Sequence, residues 1–290
     1  MSFLDAVMTT PLLQKAILAA LGASLASGII GAYVVVKRIV SLSGSIAHSV
    51  MGGMGATLWL ARTYALLWLT PMYGAIVSAV ASAIIIGIVH LKYREREDAV
   101  IAMIWSLGMA IGVIFMAHTP GFSVELTHFL LGNILWITTS DLLILAALNL
   151  LIVGFVIAYH KQFLALAFDE KQAELQGLRV KSFYLGLLVL VALAIVVLLY
   201  IVGIILALAM LALPPSIAGA FSRKLSTMMV ISVFLNIAFT IGGLALAYHL
   251  NWPAGATIAL FAGVCYLISL RFKSLAETLQ TSARPIADAN

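Results

Sequence analysis

The sequence predicts an all-α polytopic membrane protein, and three properties of its composition support this prediction. Of its 290 residues, 63% are hydrophobic and 9% are charged, and the mean hydropathy is +1.15. A soluble domain contains about 25% charged residues, so this chain has too few charges to cover a water-exposed surface. The composition therefore excludes a cytosolic enzyme, a disordered chain and a secreted disulfide scaffold.

The apolar runs suffice for about eight or nine membrane-crossing helices in one integral-membrane domain, residues 1–290, at about 20 residues per helix. The run 183–213 is longer than one span needs, so we divide it at residues 200–203 into two helices joined by a tight turn. Residues 129–137 form a candidate re-entrant piece, and residues 274–290 are expected to form a loose polar tail. The predicted spans, between about residues 16 and 270, are 16–36, 46–60, 66–91, 99–117, 142–159, the two halves of 183–213, 228–248 and 253–270.

The basic residues predict the orientation of the chain, because cytoplasmic loops of membrane proteins are enriched in Lys and Arg. This bias also explains the formal net charge of +5. The opposite loops contain Trp68, Trp136 and Trp252, and Trp is typical of a membrane interface. We therefore expect a cytoplasmic C-terminus and, if nine spans are present, an external N-terminus. The basic clusters are Lys37/Arg38, 92–96, 161–181, Arg223/Lys224 and Arg271/Lys273.

One predicted helix carries a face of small side chains that is interrupted by an imidazole. Gly44, His48, Gly52 and Ala56 are each four residues apart and share this face, and Ser45 lies beside it. Ionisable residues inside a membrane are rare and mark substrate or ion pathways by default. The alternative is a closely packed helix interface in which His48 bonds a neighbouring carbonyl.

Two further segments contain candidate functional residues. Glu125 and His128, three residues apart in the outer connection after His118, suit a transition metal such as zinc if the segment is helical; the alternative is a solvated loop. On the cytoplasmic side, residues 160–182 form the longest soluble segment, and residues 168–177 fit a short amphipathic helix that docks a partner or lies on the headgroups. The candidate docking residues are Phe168, Asp169, Glu170, Leu175 and Gly177.

The sequence contains no phosphate-binding loop, dinucleotide fingerprint or metal-binding Cys cluster. We therefore expect no ATPase activity from this chain and no cofactor bound to it. If the chain takes part in active transport, the energy must come from a partner or from an ion gradient.

Five segments, taken in their order and spacing, resemble the membrane permease subunit of the bacterial zinc/manganese/iron ABC importers. The resemblance covers about residues 16–270. No single motif is decisive. The segments are 34–48, 96–108, 130–135, Phe168-Asp169 with Ala173 and Gly177-Leu178, and 202–206 with Leu213-Pro-Pro and Ala218.

The resemblance implies a permease of the metal-chelate ABC importer type in the bacterial cytoplasmic membrane. It implies two copies of this chain, two cytoplasmic ABC ATPase subunits and an extracytoplasmic metal-binding protein, with a divalent zinc, manganese or iron ion as the cargo. Residues 168–177 match the place where such permeases meet the ATPase. His48 matches the intramembrane His of the family, whereas the Asp that the family often has four residues earlier is Gly44 here.

Two other classes of function compete with this interpretation. A gradient-driven secondary transporter would use His48 as a proton relay, although the sequence shows no convincing internal repeat of the kind such carriers often have. An intramembrane serine protease would need Ser45 or Ser24 with His48 or His249, and such a dyad is recognised by geometry rather than by composition.

Overall fold

The computed structural model describes residues 3–66, 68–93, 97–120 and 137–282, which fold into α-helices without a β-strand. The predicted fold class, an all-α bundle of membrane-spanning helices, is confirmed. The helices are α1 (Phe3–Thr9), α2 (Pro11–Val36), α3 (Val40–Thr63), α4 (Pro71–Tyr93), α5 (Glu97–Ala117), α6 (Thr139–Phe168), α7 (Glu170–Leu175), α8 (Val180–Phe221), α9 (Leu225–Leu250) and α10 (Ala254–Ser282).

Seven helices in the described part of the chain are long and apolar enough to cross a membrane, namely α2, α4, α5, α6, α8, α9 and α10. α3 has 24 residues but does not reach the same apolarity, because glycines, serines and His48 make up much of its sequence. The prediction of about eight or nine spans is therefore close to the number of strongly apolar helices but slightly above it.

α8 is the most extensively buried of these helices and packs against α2, α3, α4, α6, α9 and α10. Its 42 residues would extend about 63 Å as one straight helix, which is twice the hydrocarbon thickness of about 30 Å. The helix is interrupted at Gly203, where φ is 80° and ψ is 166°. This break lies inside the interval 200–203 at which the sequence divides the apolar run.

α6 is longer than the predicted span. Thr138 and Asp141 form a reciprocal capping box that starts the helix, and a kink at Tyr159 (φ −119°, ψ 19°) marks the predicted end of the span. The helix then continues to Phe168, so the first part of the predicted soluble segment 160–182 is helical. The physical reason is a second apolar face, since Phe163 and Leu166 are buried in the bundle.

The C-terminal helix also exceeds its prediction. α10 continues to Ser282, so the first part of the polar tail, residues 274–282, is helical instead of loose. A polar sequence does not by itself end a helix, and no Gly or Pro interrupts this one between residues 264 and 282.

Candidate functional site

His48 lies near the middle of α3 and stacks on Trp105 of α5. The two ring centroids are 4.2 Å apart and the ring planes differ by 14°. His48 is half-buried, and neither of its ring nitrogen atoms has a hydrogen-bond partner among the described residues. The stacking fixes the orientation of the ring and covers one of its faces, while the nitrogen atoms at the ring edge stay available as ligands.

The small-residue face of α3 is covered by α5. A Cβ atom at Gly52 would lie 2.8 Å from the carbonyl oxygen of Gly108, and a Cβ atom at Gly55 would lie 2.8 Å from that of Gly112. Both α3 glycines are buried. The face is thus a close helix–helix contact in this structure, rather than the unobstructed groove that a pathway interpretation of the sequence requires, because glycines on both helices let the backbones approach.

The two ends of this face are less crowded than its centre. At Gly44, the nearest atom to an added Cβ would be Cζ3 of Trp105 at 3.7 Å, an ordinary contact. Ala56 is half-buried. Ser45 donates a hydrogen bond from its Oγ to the carbonyl oxygen of Ile101 (2.9 Å), which adds a polar link between α3 and α5.

Trp105, Ser49 and Ser82 are neighbours of this site that the sequence interpretation missed. Ser82 of α4 donates a hydrogen bond to Oγ of Ser49 (2.8 Å), and Ser49 donates to the carbonyl oxygen of Ile46 (2.8 Å). Trp105 lies inside one of the segments that carry the family resemblance, and its place in that segment could have indicated a role at this site. Ser82 has no such signal, because it is one of two serines, with Ser78, in an apolar helix.

The outer cluster falls largely outside the described residues. Glu125 and His128 lie in the interval 121–136, which the structure does not describe. His118, just before it, contacts the carbonyl oxygen of Ile114 through Nδ1 at 2.8 Å. Within the described ranges, no group of three His, Cys, Asp or Glu side chains is arranged to hold a metal ion.

The predicted docking helix is present as α7. Asp169 is its N-cap, and its Oδ1 accepts a hydrogen bond from the backbone N–H of Gln172 (3.0 Å). Gly177 follows the helix with a φ of 82°, in the left-handed region where Gly carries no steric penalty. These two residues thus define the start and the end of α7, which lies in the cytoplasmic connection predicted from the basic residues.

Glu170 joins α7 to the helices of the bundle. Its carboxylate pairs with the ammonium group of Lys37 at the end of α2 and lies 3.6 Å from Nε2 of His90 near the end of α4. His90 in turn stacks on Tyr184 of α8, with ring centroids 4.6 Å apart. The nearby imidazole of His90 and the ammonium group of Lys37 lower the pKa of the Glu170 carboxyl to about 2, although its partial burial opposes this shift.

The remaining docking candidates present apolar surface to the surroundings. Ala173, on the inner face of α7, is buried. The side chains of Phe168 and Leu175 are 69% and 89% exposed. A cleft of about 260 Å³ lies between the end of α6 and α7, with Phe168 and Asp169 in its wall. The structure thus separates the predicted docking residues into those that hold α7 in place and those that face outward.

This chain is similar to known proteins over most of its length. Residues 9–273 match the ABC 3 transport family. A probable metal transport system membrane protein of Chlamydia pneumoniae is 52% identical over 90% of this chain and 89% of its own length. A manganese transport system membrane protein of Listeria monocytogenes, MntC, is 30% identical over 99% and 100% of the two chains. A chain of PsaBC from Streptococcus pneumoniae in complex with Fab is 29% identical and superposes with a TM-score of 0.80 over 92% of this chain and 94% of its own.

Proposed function

Because this chain belongs to the ABC 3 transport family, we propose that it is the permease subunit of an ATP-driven importer of a divalent transition metal ion, namely zinc, manganese or iron. The relatives named for metal and manganese transport support this cargo class. The family membership does not support a gradient-driven carrier. The serine protease alternative also lacks support, because the hydroxyls of Ser24 and Ser45 donate to the carbonyl oxygens of Ala20 and Ile101.

The proposed importer contains two copies of this chain, two cytoplasmic ABC ATPase subunits and an extracytoplasmic metal-binding protein. The bundle lies in the bacterial cytoplasmic membrane with its C-terminus in the cytoplasm, as the basic clusters predict. We propose Glu125 and His128 as the site that receives the ion from the binding protein. ATP hydrolysis takes place in the partner subunits, and the metal ion is cargo rather than a resident cofactor.

The observation that carries this proposal is the state of His48. An imidazole without a hydrogen-bond partner is costly in a half-buried position within a membrane helix, unless it serves a ligand or a pathway. The ring is held by Trp105, and imidazole nitrogen is a common ligand of zinc and iron. A single imidazole without a carboxylate at Gly44 binds such an ion weakly, which suits conduction because a tightly held ion would not leave.

The close contact of α3 with α5 fits a closed state of the pathway. With Gly52 against the backbone of Gly108, no ion passes along this face until the two helices separate or shift. Alternating access in transporters proceeds by such rigid-body movements of helices around a fixed site. We propose that this movement exposes the edge of the His48 ring to the ion.

Metal uptake into proteoliposomes that contain the whole complex tests this proposal. We expect His48→Ala to reduce the uptake of radiolabelled manganese, zinc or iron by about tenfold or more, the loss typical of removing a group that supports a metal site. His249→Ala is the matched control, because His249 is exposed at the end of α9. Gly44→Asp should tighten metal binding to the membrane domain, since it adds a carboxylate one helical turn from His48 and the added Cβ would make only an ordinary contact with Trp105.

Two outcomes together would contradict a metal pathway at His48. These are full uptake by the His48→Ala complex and unchanged metal affinity in the Gly44→Asp complex. The relative uptake of the three metals by the unmodified complex identifies the cargo.

We further propose that α7 is the contact with the ATPase subunit. The arrangement of its side chains supports this assignment, because Asp169 and Glu170 secure the helix while Phe168 and Leu175 expose apolar surface. Contiguous apolar surface that is exposed outside a membrane span is typical of an interaction site. The cleft beside Phe168 would accept a side chain of the ATPase.

A further inference from the structure

A basic cleft of about 580 Å³ lies where α8 ends and α9 begins. The end of α2, Phe168 at the end of α6 and the middle of α10 complete its wall. Its cationic residues are Arg38, Arg223 and Lys224, and no Asp or Glu is part of its lining. None of the three cations has an ion-pair partner in the part of the chain that the structure describes. The cleft therefore concentrates positive charge that the rest of the described bundle leaves uncompensated.

Polar groups beside these cations lack partners as well. The Oγ atom of Ser222 is buried in the wall of the cleft and has no hydrogen-bond partner. Lys224 is the N-cap of α9 but provides no side-chain capping bond. The first backbone N–H groups of this 26-residue helix thus add a partial positive charge at the same place. A buried hydroxyl, a helix N-terminus and three cations together match a phosphate group, which offers several strong acceptor oxygen atoms.

The surroundings of the cleft show which phosphate compound fits. Phe221, at the end of α8, and Leu270 and Phe272, on α10, have side chains that are exposed by 44% or more. Such apolar side chains are stable beside the acyl chains of a bilayer. The cations belong to the side that the basic clusters place in the cytoplasm, where anionic lipids attract Lys and Arg. A phosphate that is attached to acyl chains satisfies both the cations and the apolar rim, whereas a soluble phosphate satisfies only the cations.

We propose that this cleft binds the phosphate group of an anionic phospholipid. The headgroup lies between Arg38 and the Arg223–Lys224 pair and accepts a hydrogen bond from Ser222. Its acyl chains run along the exposed apolar side chains of α8 and α10. A lipid held there links the ends of α2 and α8 with the start of α9 and the middle of α10, and this role is independent of the cargo that the protein transports.

Lipid retention by the full-length chain tests this site. The chain is purified in detergent with mixed micelles of phosphatidylglycerol or of phosphatidylcholine, and native mass spectrometry counts the lipids that stay bound. We expect phosphatidylglycerol to be retained by the unmodified chain, whereas phosphatidylcholine is not. Arg223→Gln/Lys224→Gln should weaken the retention by about fivefold for each cation removed. Ser222→Ala should also weaken it without any change in net charge.

The matched control is Arg179→Gln/Lys181→Gln, which removes two exposed cations at the start of α8 that do not line the cleft. Unchanged lipid retention by this control supports a specific site. If the control loses as much lipid as Arg223→Gln/Lys224→Gln, the specific site is overturned in favour of a general attraction by net charge. Displacement of the lipid by millimolar inorganic phosphate would overturn the lipid assignment. Loss of retention when the ATPase subunit is added would overturn it as well, since the cleft would then be a protein interface.

Discussion

The charge of the Glu170 carboxylate holds a short helix in place. It lies between the ammonium group of Lys37 and the imidazole of His90, and it belongs to a helix of only six residues. Such a short helix is not stable by itself. The position of α7 therefore depends on what its side chains bind, and Glu170 provides the main polar attachment.

We predict that Glu170→Gln destabilises the folded chain by about 1–3 kcal/mol, because a half-buried charged hydrogen bond is lost and Lys37 keeps an unpaired charge. Thermal unfolding in detergent at neutral pH measures the effect. Glu174→Gln is the control, since Glu174 is an exposed acid on the same helix. Equal melting temperatures for both variants would show that the ion pair adds nothing.

The lowered pKa of Glu170 predicts how this contribution depends on pH. The carboxyl titrates at about 2 in the folded chain, compared with 4.5 in the absence of its partners. A folded-state pKa below the unfolded value means that the stabilisation is complete above the unfolded pKa and is lost as the pH falls through the folded one. We expect the difference in melting temperature between the unmodified chain and Glu170→Gln not to decrease from about pH 7 to about pH 5 and to shrink towards about pH 2. A difference that shrinks already between about pH 7 and about pH 5 would assign the effect to another group.

Among the helices, α8 depends on a single residue for its break. At Gly203 the backbone has a φ of 80° and a ψ of 166°, a conformation that is essentially restricted to Gly. We predict that Gly203→Ala costs about 1–3 kcal/mol and lowers the melting temperature and the folded yield. Gly186→Ala on the same helix is the control, because its backbone is helical and an added Cβ would meet nothing within 4 Å. Unchanged stability of Gly203→Ala would mean that the break adapts to a side chain.

The contact between α3 and α5 gives a second prediction for the helices. Gly52→Ala places a methyl group 2.8 Å from the carbonyl oxygen of Gly108, so the two backbones must separate, at a typical cost of about 1–3 kcal/mol for overpacking. We expect a lower melting temperature and, if the closed state depends on this contact, a leak of metal ions through the complex. Gly154→Ala in α6 meets nothing within 4 Å and should have neither effect. A Gly52→Ala complex with an unchanged melting temperature and no leak of metal ions would contradict close packing at this point.

The sequence predicts much of this architecture, and the exceptions have identifiable causes. Apolar runs bounded by charged residues predict the positions of the spans, and the excess length of one run predicts the break near Gly203. Both predictions succeed because they depend only on local composition. The extension of α6 to Phe168 was missed because polar residues conceal the apolar face of Phe163 and Leu166. At the candidate site, the spacing of Gly44, His48 and Gly52 predicts their common face. Which helix covers that face depends on packing between distant segments, so the contacts with Trp105 and Gly108 were not predictable from one sequence.

At the scale of the whole molecule, the side chains of α7 and its flanks divide into those that attach the helix to the bundle and those that stay exposed. Charged groups hold α7 against α2 and α4, while Leu175 projects outward with 89% of its surface exposed. An apolar side chain in that position has no favourable partner within the described chain, so its free energy improves only when another surface covers it. Full burial of a Leu side chain contributes about 1.5–3 kcal/mol, which corresponds to a change in affinity of about tenfold or more.

We therefore predict that Leu175→Glu weakens the association of the permease with its ATPase subunit by about tenfold or more and leaves its own melting temperature unchanged. Co-purification and titration of the two subunits measure the affinity, and metal-stimulated ATP hydrolysis in proteoliposomes measures the coupling. Lys171→Gln is the control, because this exposed residue of α7 changes the charge of the helix but not its apolar surface. If the Leu175→Glu complex forms with unchanged affinity and ATP hydrolysis still drives uptake, α7 is not the contact. If it forms normally but hydrolysis no longer drives uptake, Leu175 transmits the movement rather than the binding energy, and the ATPase is held mainly at the cleft beside Phe168.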